Sequence, residues 1–244
     1  MKLSNIRIVL VQTTHSGNIG AAARAMKNMG LEKLYLVAPK QFPHADASAR
    51  ASGADDLLAA AMVCDTLEDA LTGCALVFGA SARLRTIAWP QVDPRQCVSV
   101  ISTLDDPAEV ALVFGREHAG LTNEELEQCH YLVHIPANPE FSSLNLAAAV
   151  QVLAYEARVA CCASDAGRES EAVSTQLATA DELAGFYRHL ERTVIDIGFL
   201  DPDNPRQLMR RLRRLFNRSR LDRMELNILR GILTAAQKGV NRRQ

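Results

Sequence analysis

The feature that most constrains the fold is a set of five short, continuously apolar runs within the first 136 residues. They are IRIVLV (6–11), KLYLVA (33–38), ALVFGA (75–80), EVALVFG (109–115) and YLVHIP (131–136). A strand covered on one face alternates polar with apolar, whereas a strand covered on both faces is apolar throughout. Helix-like segments lie between the runs. NIGAAARAMKNMG (18–30) ends on Gly30, a natural C-cap. LTNEELEQC (121–129) starts at Thr122 or Asn123 with acidic residues in its first turn. SLNLAAAVQVLAYEARVACCA (143–163) is long and rich in alanine, and Ser143 is placed to cap it. Strands alternating with helices predict an α/β fold with a mostly parallel sheet.

The C-terminal third has a different character. SDAGRESEAVSTQLATA (164–180) loses all apolar periodicity and reads as a linker. Beyond it DELAGFYRHLERTVIDIGF is helical in period, DPDNP (201–205) is a turn, and one or two further helices follow. The expected organisation is a domain over 1–162, a linker over 163–180 and a small helical extension over 181–244. Leu208, Leu212, Leu215 and Phe216 repeat at three- and four-residue steps with arginines between them, giving one apolar and one basic face. Residues 206–244 carry twelve Lys/Arg against Asp222 and Glu225, a net +10 in a chain whose total is −1, so residues 1–205 sum to −11. That asymmetry points to a polyanionic partner for the basic end, with helix packing as the competing use.

Several classes are excluded on composition. With 48% hydrophobic and 23% charged residues the chain is an ordinary globular sequence. No uninterrupted apolar run approaches the roughly 18 residues of a membrane span. The first apolar run is broken at once by Gln12, so it reads as a strand and not a signal peptide. Cys64, Cys74, Cys97, Cys129, Cys161 and Cys162 form no CxxC pair and no zinc-spaced set with histidine, so no metal is expected. A reduced, cytoplasmic protein is the economical reading.

Ligands of open α/β sheets sit where strands end in loops. The loop at 12–25, QTTHSGNIGAAARA, lacks GxGxxG. The loop at 115–125, GREHAGLTNEE, has glycines five apart but no Lys-Ser/Thr for phosphate and magnesium. NAD dehydrogenases and P-loop NTPases are therefore poor candidates.

Three segments carry a family resemblance. Asn18 followed by Arg24, then Gly115-x-Glu117-x-x-Gly120-Leu121, then IPANPEFSSLNLAAAVQV (135–152) resemble the three motifs of the SPOUT RNA 2′-O-methyltransferases, in the same order. The likeness covers residues 5–160. Ser81-Ala82-Arg83-Leu84-Arg85-Thr86 and the ELNILRGIL segment (225–233) resemble the branch that methylates the ribose of nucleotide 32 in the tRNA anticodon loop.

The resemblance implies a C-terminal trefoil knot, a homodimer, S-adenosylmethionine as methyl donor and tRNA as substrate. A ribosomal RNA substrate or an inactive RNA-binding module are the alternatives. It assigns cofactor binding to Ala80, Ser81, Ala82, Gly115, Ile135, Ser142, Ser143 and Leu144. It assigns the chemistry to Arg24, Asn18, Glu117, Ser143 and Asn145. Arg24, a guanidinium with fixed donors, suits the ribose–phosphate side and a developing alkoxide. Glu117 would pair with Arg24 or a partner arginine. Asn145 would hold Asn18 or the third loop, or be no more than a polar first-turn residue. Arg83, Arg85 and Arg116 would add phosphate contacts. His15 and His118 could approach the site, with core or surface roles as the expectation.

Overall fold

The computed structural model describes residues 2–82, 89–104, 107–164 and 177–241. At its centre are seven strands: β1 (Ile6–Val11), β2 (Lys33–Val37), β3 (Met62–Cys64), β4 (Cys74–Ala80), β5 (Gln91–Val92), β6 (Glu109–Phe114) and β7 (Tyr131–Val133). They lie in the order β3-β2-β1-β6-β4-β7-β5, and every neighbouring pair is parallel. Strand alternation divides the apolar runs between two cores. Ile6, Ile8, Leu10, Leu76, Phe78, Leu112 and Phe114 face one side. Val9, Val11, Val77, Ala111 and Val113 face the other. This double coverage is why the runs are apolar at every position.

The first face is covered by α1 (Ser16–Met29), α2 (Ala45–Ala51), α3 (Asp55–Ala59), α5 (Pro94–Ser102) and α7 (Leu146–Ser164). Gly30 closes α1 at φ 78°, a left-handed position that glycine takes without strain. Gly20 has a different task. A Cβ there would lie 1.9 Å from the Ala47 carbonyl oxygen, so only glycine lets α2 rest directly on the α1 backbone. On the second face lie α4 (Leu67–Leu71), Trp89 and the loop carrying Leu121, Leu126 and Cys129.

The helical extension comprises α8 (Ala180–Asp196), α9 (Leu208–Ser219) and α10 (Arg223–Asn241), so two helices follow the 201–205 turn. Leu183, Phe186, Tyr187, Leu190, Val194 and Leu226 form its own core, with Phe186 edge-on to Phe216 at 4.9 Å between ring centres. The extension also docks onto the sheet domain. Asp181 accepts from the Gly73 amide at 3.0 Å, and Asn217 donates to the Cys129 and Glu127 carbonyls at 3.1 and 3.3 Å.

Three local expectations are revised. The helix expected over 121–129 shrinks to α6 (Asn123–Leu126), which opens on a Thr122–Glu125 capping box. It stops because Cys129 and His130 must drop beneath β4, where His130 Nδ1 accepts the Val77 amide. The last helix begins at Leu146, and its cap is Asn145, not Ser143: Asn145 Oδ1 accepts from the Ala147 amide at 2.9 Å. Within α7, Leu146–Ala163 is long and apolar enough by composition alone to cross a membrane, with mean hydropathy 1.4. Val150, Leu153, Ala154 and Ala157 turn that character into the core beside α1 and α5.

Candidate active site

The C-terminal ends of β4, β6 and β7 meet at one cleft of about 300 Å³. Ala80, Ser81 and Ala82 end β4, Gly115 follows β6, and Ile135, Ser142, Ser143 and Leu144 lie between β7 and α7; all eight line this cleft. The Ser81 amide donates to the Val133 carbonyl at 3.0 Å, tying the first loop to the third. At Gly115 an added Cβ would sit 2.2 Å from the Gly120 carbonyl carbon and 2.3 Å from the Leu121 amide. Arg116 and Gly120 exchange backbone hydrogen bonds of 3.2 and 2.9 Å, which pulls that loop closed. Phe114, Val133, Leu146 and Ala149 add apolar wall, so the cleft offers small side chains, apolar surface and backbone groups.

Beside it the loop after β1 forms a hydrogen-bonded knuckle around Glu117. The carboxylate accepts from the Thr14 amide at 3.2 and 3.1 Å, the Thr14 hydroxyl at 2.5 Å, the His15 amide at 3.1 Å and Asn18 Nδ2 at 3.0 Å. Burial opposes its charge, but the bonds from Thr14 and Asn18 prevail and hold the Glu117 pKa at about 2. Asn145 Nδ2 in turn donates to Asn18 Oδ1 at 3.1 Å. A chain Glu117–Asn18–Asn145 thus joins all three loops, and Ser143 lies in the cleft wall next to it.

Several expected pairings are replaced. Glu117 bonds Thr14, His15 and Asn18, not Arg24, because two backbone amides and an Asn already occupy its oxygens. Arg24 is exposed and forms no hydrogen bond or ion pair among the described residues. Six residues along a helix turn it about 120° away from Asn18. Arg116 is not free for phosphate: it forms a two-bond pair with Glu125 at 3.0 Å each, and Nε donates to Gln12 at 3.0 Å. Arg83 and Arg85 lie outside the described residues. His118 lines the cleft, while His15 contributes its backbone amide.

Gln12 and Thr14 escape sequence reasoning. Gln12 sits at φ 46° where β1 turns into the site, a strained position for a residue with a side chain. The only hint is the abrupt polar QTTH directly after an apolar run. Among the described residues no group of His, Cys, Asp and Glu could hold a metal ion. Burial pushes the Cys74 thiol up to about 12, leaving a protonated core side chain.

A parallel sheet with a strand-end cleft is common to many α/β proteins; residues 5–155 match the SpoU rRNA Methylase family, and the chain belongs to it. Within that family the chain belongs to the TrmJ branch: residues 181–244 match the C-terminal domain of tRNA methyltransferase TrmJ. It is 61% identical over 244 residues to the tRNA (cytidine/uridine/adenosine-2′-O-)-methyltransferase TrmJ of Pseudomonas aeruginosa strain UCBPP-PA14, covering 97% of this chain and 95% of that one. It is 54% identical over 239 residues to the tRNA (cytidine/uridine-2′-O-)-methyltransferase TrmJ of Escherichia coli strain K12, covering 97% and 96%. The crystal structure of TrmJ from Z. mobilis ZM4 superposes with a TM-score of 0.82 at 35% identity, over 94% of this chain and 97% of that one.

Proposed function

We propose that this chain transfers the methyl group of S-adenosylmethionine to the ribose 2′-hydroxyl of the pyrimidine at anticodon-loop position 32 of tRNA. The observation that carries the proposal is the convergence of eight loop residues on one cleft, with the Glu117–Asn18–Asn145 chain along its edge. The cleft fits the donor. Gly115 lets the Gly120–Leu121 backbone fold directly against the end of β6, which gives the loop that walls the cleft its shape. The apolar walls suit an adenine, and the ionised Glu117 leaves a negative charge to complement a sulfonium. When bound, S-adenosylmethionine supplies an electrophilic methyl carbon for in-line attack by the ribose oxygen.

The chain's own groups then position and stabilise. Asn18, held from both sides by Glu117 and Asn145, keeps the first turn of α1 in a fixed place. Arg24, with no protein partner among the described residues, is available to the phosphate beside the target ribose and to the alkoxide that develops on its 2′ oxygen. It acts as a fixed cation and not as a proton acceptor, because a guanidinium offers five N–H donors and no acceptor. Ser143, in the cleft wall beside the Glu117–Asn18–Asn145 chain, would touch the substrate.

The reading keeps the SPOUT domain at 1–162, the linker at 163–180 and an RNA-binding extension at 181–244, in a cytoplasmic homodimer. Tyr155 and Val159, apolar yet exposed on α7, support a partner subunit there. The trefoil threading is supported by β7, which enters between the earlier strands β4 and β5. The TrmJ-type extension favours tRNA over ribosomal RNA.

The test is nucleotide-resolution mapping of 2′-O-methylation in tRNA incubated with protein and S-adenosylmethionine. A single methyl at ribose 32 is expected. A methyl on a base or at another position would refute the assignment. Transcripts with adenosine at position 32 decide whether a purine is also accepted, as the Pseudomonas relative's name states for that protein.

A further inference from the structure

Gly20 has a consequence beyond packing. By letting α2 sit on the α1 backbone, it brings Arg50, the penultimate residue of α2, across the first turn of α1. Arg50 Nε and Cδ lie 3.2 and 3.3 Å from where a Gly17 Cβ would stand. Arg24 is seven residues beyond Gly17, which returns it to within about 20° of the same helix face and about 10 Å further along the axis. Arg50 and Arg24 therefore share one exposed face, with only Ala21 between them.

Neither arginine forms a hydrogen bond or ion pair among the described residues. The nearby carboxylates form no ion pair with them: Asp46, one turn before Arg50, reaches neither guanidinium and lies 3.6 Å from His44 Nδ1, and the oxygens of Glu117 are taken by Thr14, His15 and Asn18. Lys40, exposed and bonded through its backbone amide to the Thr13 carbonyl at 3.0 Å, adds a third cation near this edge. In the first 205 residues, which sum to −11, a cluster of cations without protein partners is against the trend and offers a local positive site to an external anion.

We infer that Arg50 and Arg24 form a two-guanidinium clamp on the RNA backbone, Arg24 at the phosphate beside the target ribose and Arg50 at a neighbouring one. The inference rests on the proposed function and adds a positioning residue and a second phosphate contact to it. Two arginines so far apart along α1 meet different phosphodiesters, so the clamp fixes the direction of the strand as well as its distance.

The experiment uses the full chain with Arg50→Ala and Arg50→Lys, and unmodified tRNA as probe. For Arg50→Ala the slope of log affinity against log salt should fall by about 0.7–0.9, the value of one phosphate contact. KM for tRNA should rise about tenfold, with kcat, S-adenosylmethionine affinity and Tm unchanged. Arg50→Lys should keep most of the slope. An unchanged slope in Arg50→Ala overturns the clamp. So does a loss of slope accompanied by lost cofactor binding or a lowered Tm, which would make Arg50 structural. If the wild type itself leaves ribose 32 unmethylated, the proposed function fails instead, and the two failures are separable.

Discussion

The edge of the cleft and the face of α9 both carry arginines, but those arginines are in opposite situations. Arg24 and Arg50 belong to an acidic stretch of chain and stand without carboxylate partners among the described residues. In the far more basic extension Arg210 and Arg213 reach Glu127 at 2.5 and 3.5 Å, and Arg223 reaches Glu182 at 3.0 Å. Arg213 also lies over the Tyr187 ring, 5.7 Å from its centre. A surplus of arginines is thus no measure of charge available to RNA. Part of the extension's charge is consumed in docking it onto the sheet domain. Other cations there have no partner among the described residues, among them Arg206 and, on α9, Arg211, Arg214 and Arg218.

The sharpest way to break the contrast is to close the cleft itself. Gly115→Val would drive a side chain into the Gly120–Leu121 backbone, where even a Cβ lies at 2.2 Å. Binding of S-adenosylmethionine, followed calorimetrically, should fall below detection. The 116–121 backbone must shift to admit the side chain, and circular dichroism should show the helix and sheet content retained, with the change confined to that loop. Retained cofactor binding would move the donor out of this cleft, and the edge arginines would lose their meaning.

Next in size is Arg24→Ala. Removing a donor to a developing alkoxide costs about 2–4 kcal/mol, or roughly 10²–10³ in rate. Because Arg24 is not among the residues that line the cleft, cofactor affinity should not change. Single-turnover methylation near the wild-type rate would place Arg24 outside the site.

The extension is tested by separating its two groups of arginines. Arg211→Glu, Arg214→Glu and Arg218→Glu together should lower the salt slope for tRNA by about two units while leaving Tm nearly unchanged. Arg210→Ala with Arg213→Ala should do the reverse. Glu127, with only 13% of its side chain exposed, would lose both partners, and the Tm of the extension should fall by several degrees. Equal salt slopes for the two variants would erase the distinction between docking and RNA-facing arginines.

The same contrast marks what the sequence could reveal. The five main strands, Gly30 and the three loops were legible because each has a local cause: double-sided burial, left-handed backbone or close backbone approach. The small elements β3, β5, α2, α3 and α4 were not, since strands of two or three residues and helices of five to seven carry too little periodicity. That omission hid the position of Arg50, which depends on Gly20 meeting Ala47, residues 27 apart. Glu117's partners were likewise illegible. Its choice of Thr14 and Asn18 over Arg24 is set by where two strand ends meet, and residue type alone favoured the arginine.

The smallest effect concerns that choice and separates the two regions by acid sensitivity. Glu117 titrates at about 2 in the folded protein, well below the ordinary 4.5. Its folded pKa is depressed, so its contribution to stability is fully present above about pH 4.5 and is lost as pH falls from there through 2. Because the group is only partly buried, screening reduces that contribution to about 1 kcal/mol, or about 2–4 °C in Tm for a chain of this size. Glu117→Gln keeps the side chain's shape but presents an amide to donors that need an acceptor. The wild type should therefore melt higher than Glu117→Gln at pH 7, with the gap narrowing below pH 4.5 and closing near pH 2–3. A gap that stays constant down to pH 3 would mean that the lost bonds, and not the carboxylate's charge, hold the Thr14 knuckle, and Glu117 would no longer count as the anion facing the sulfonium.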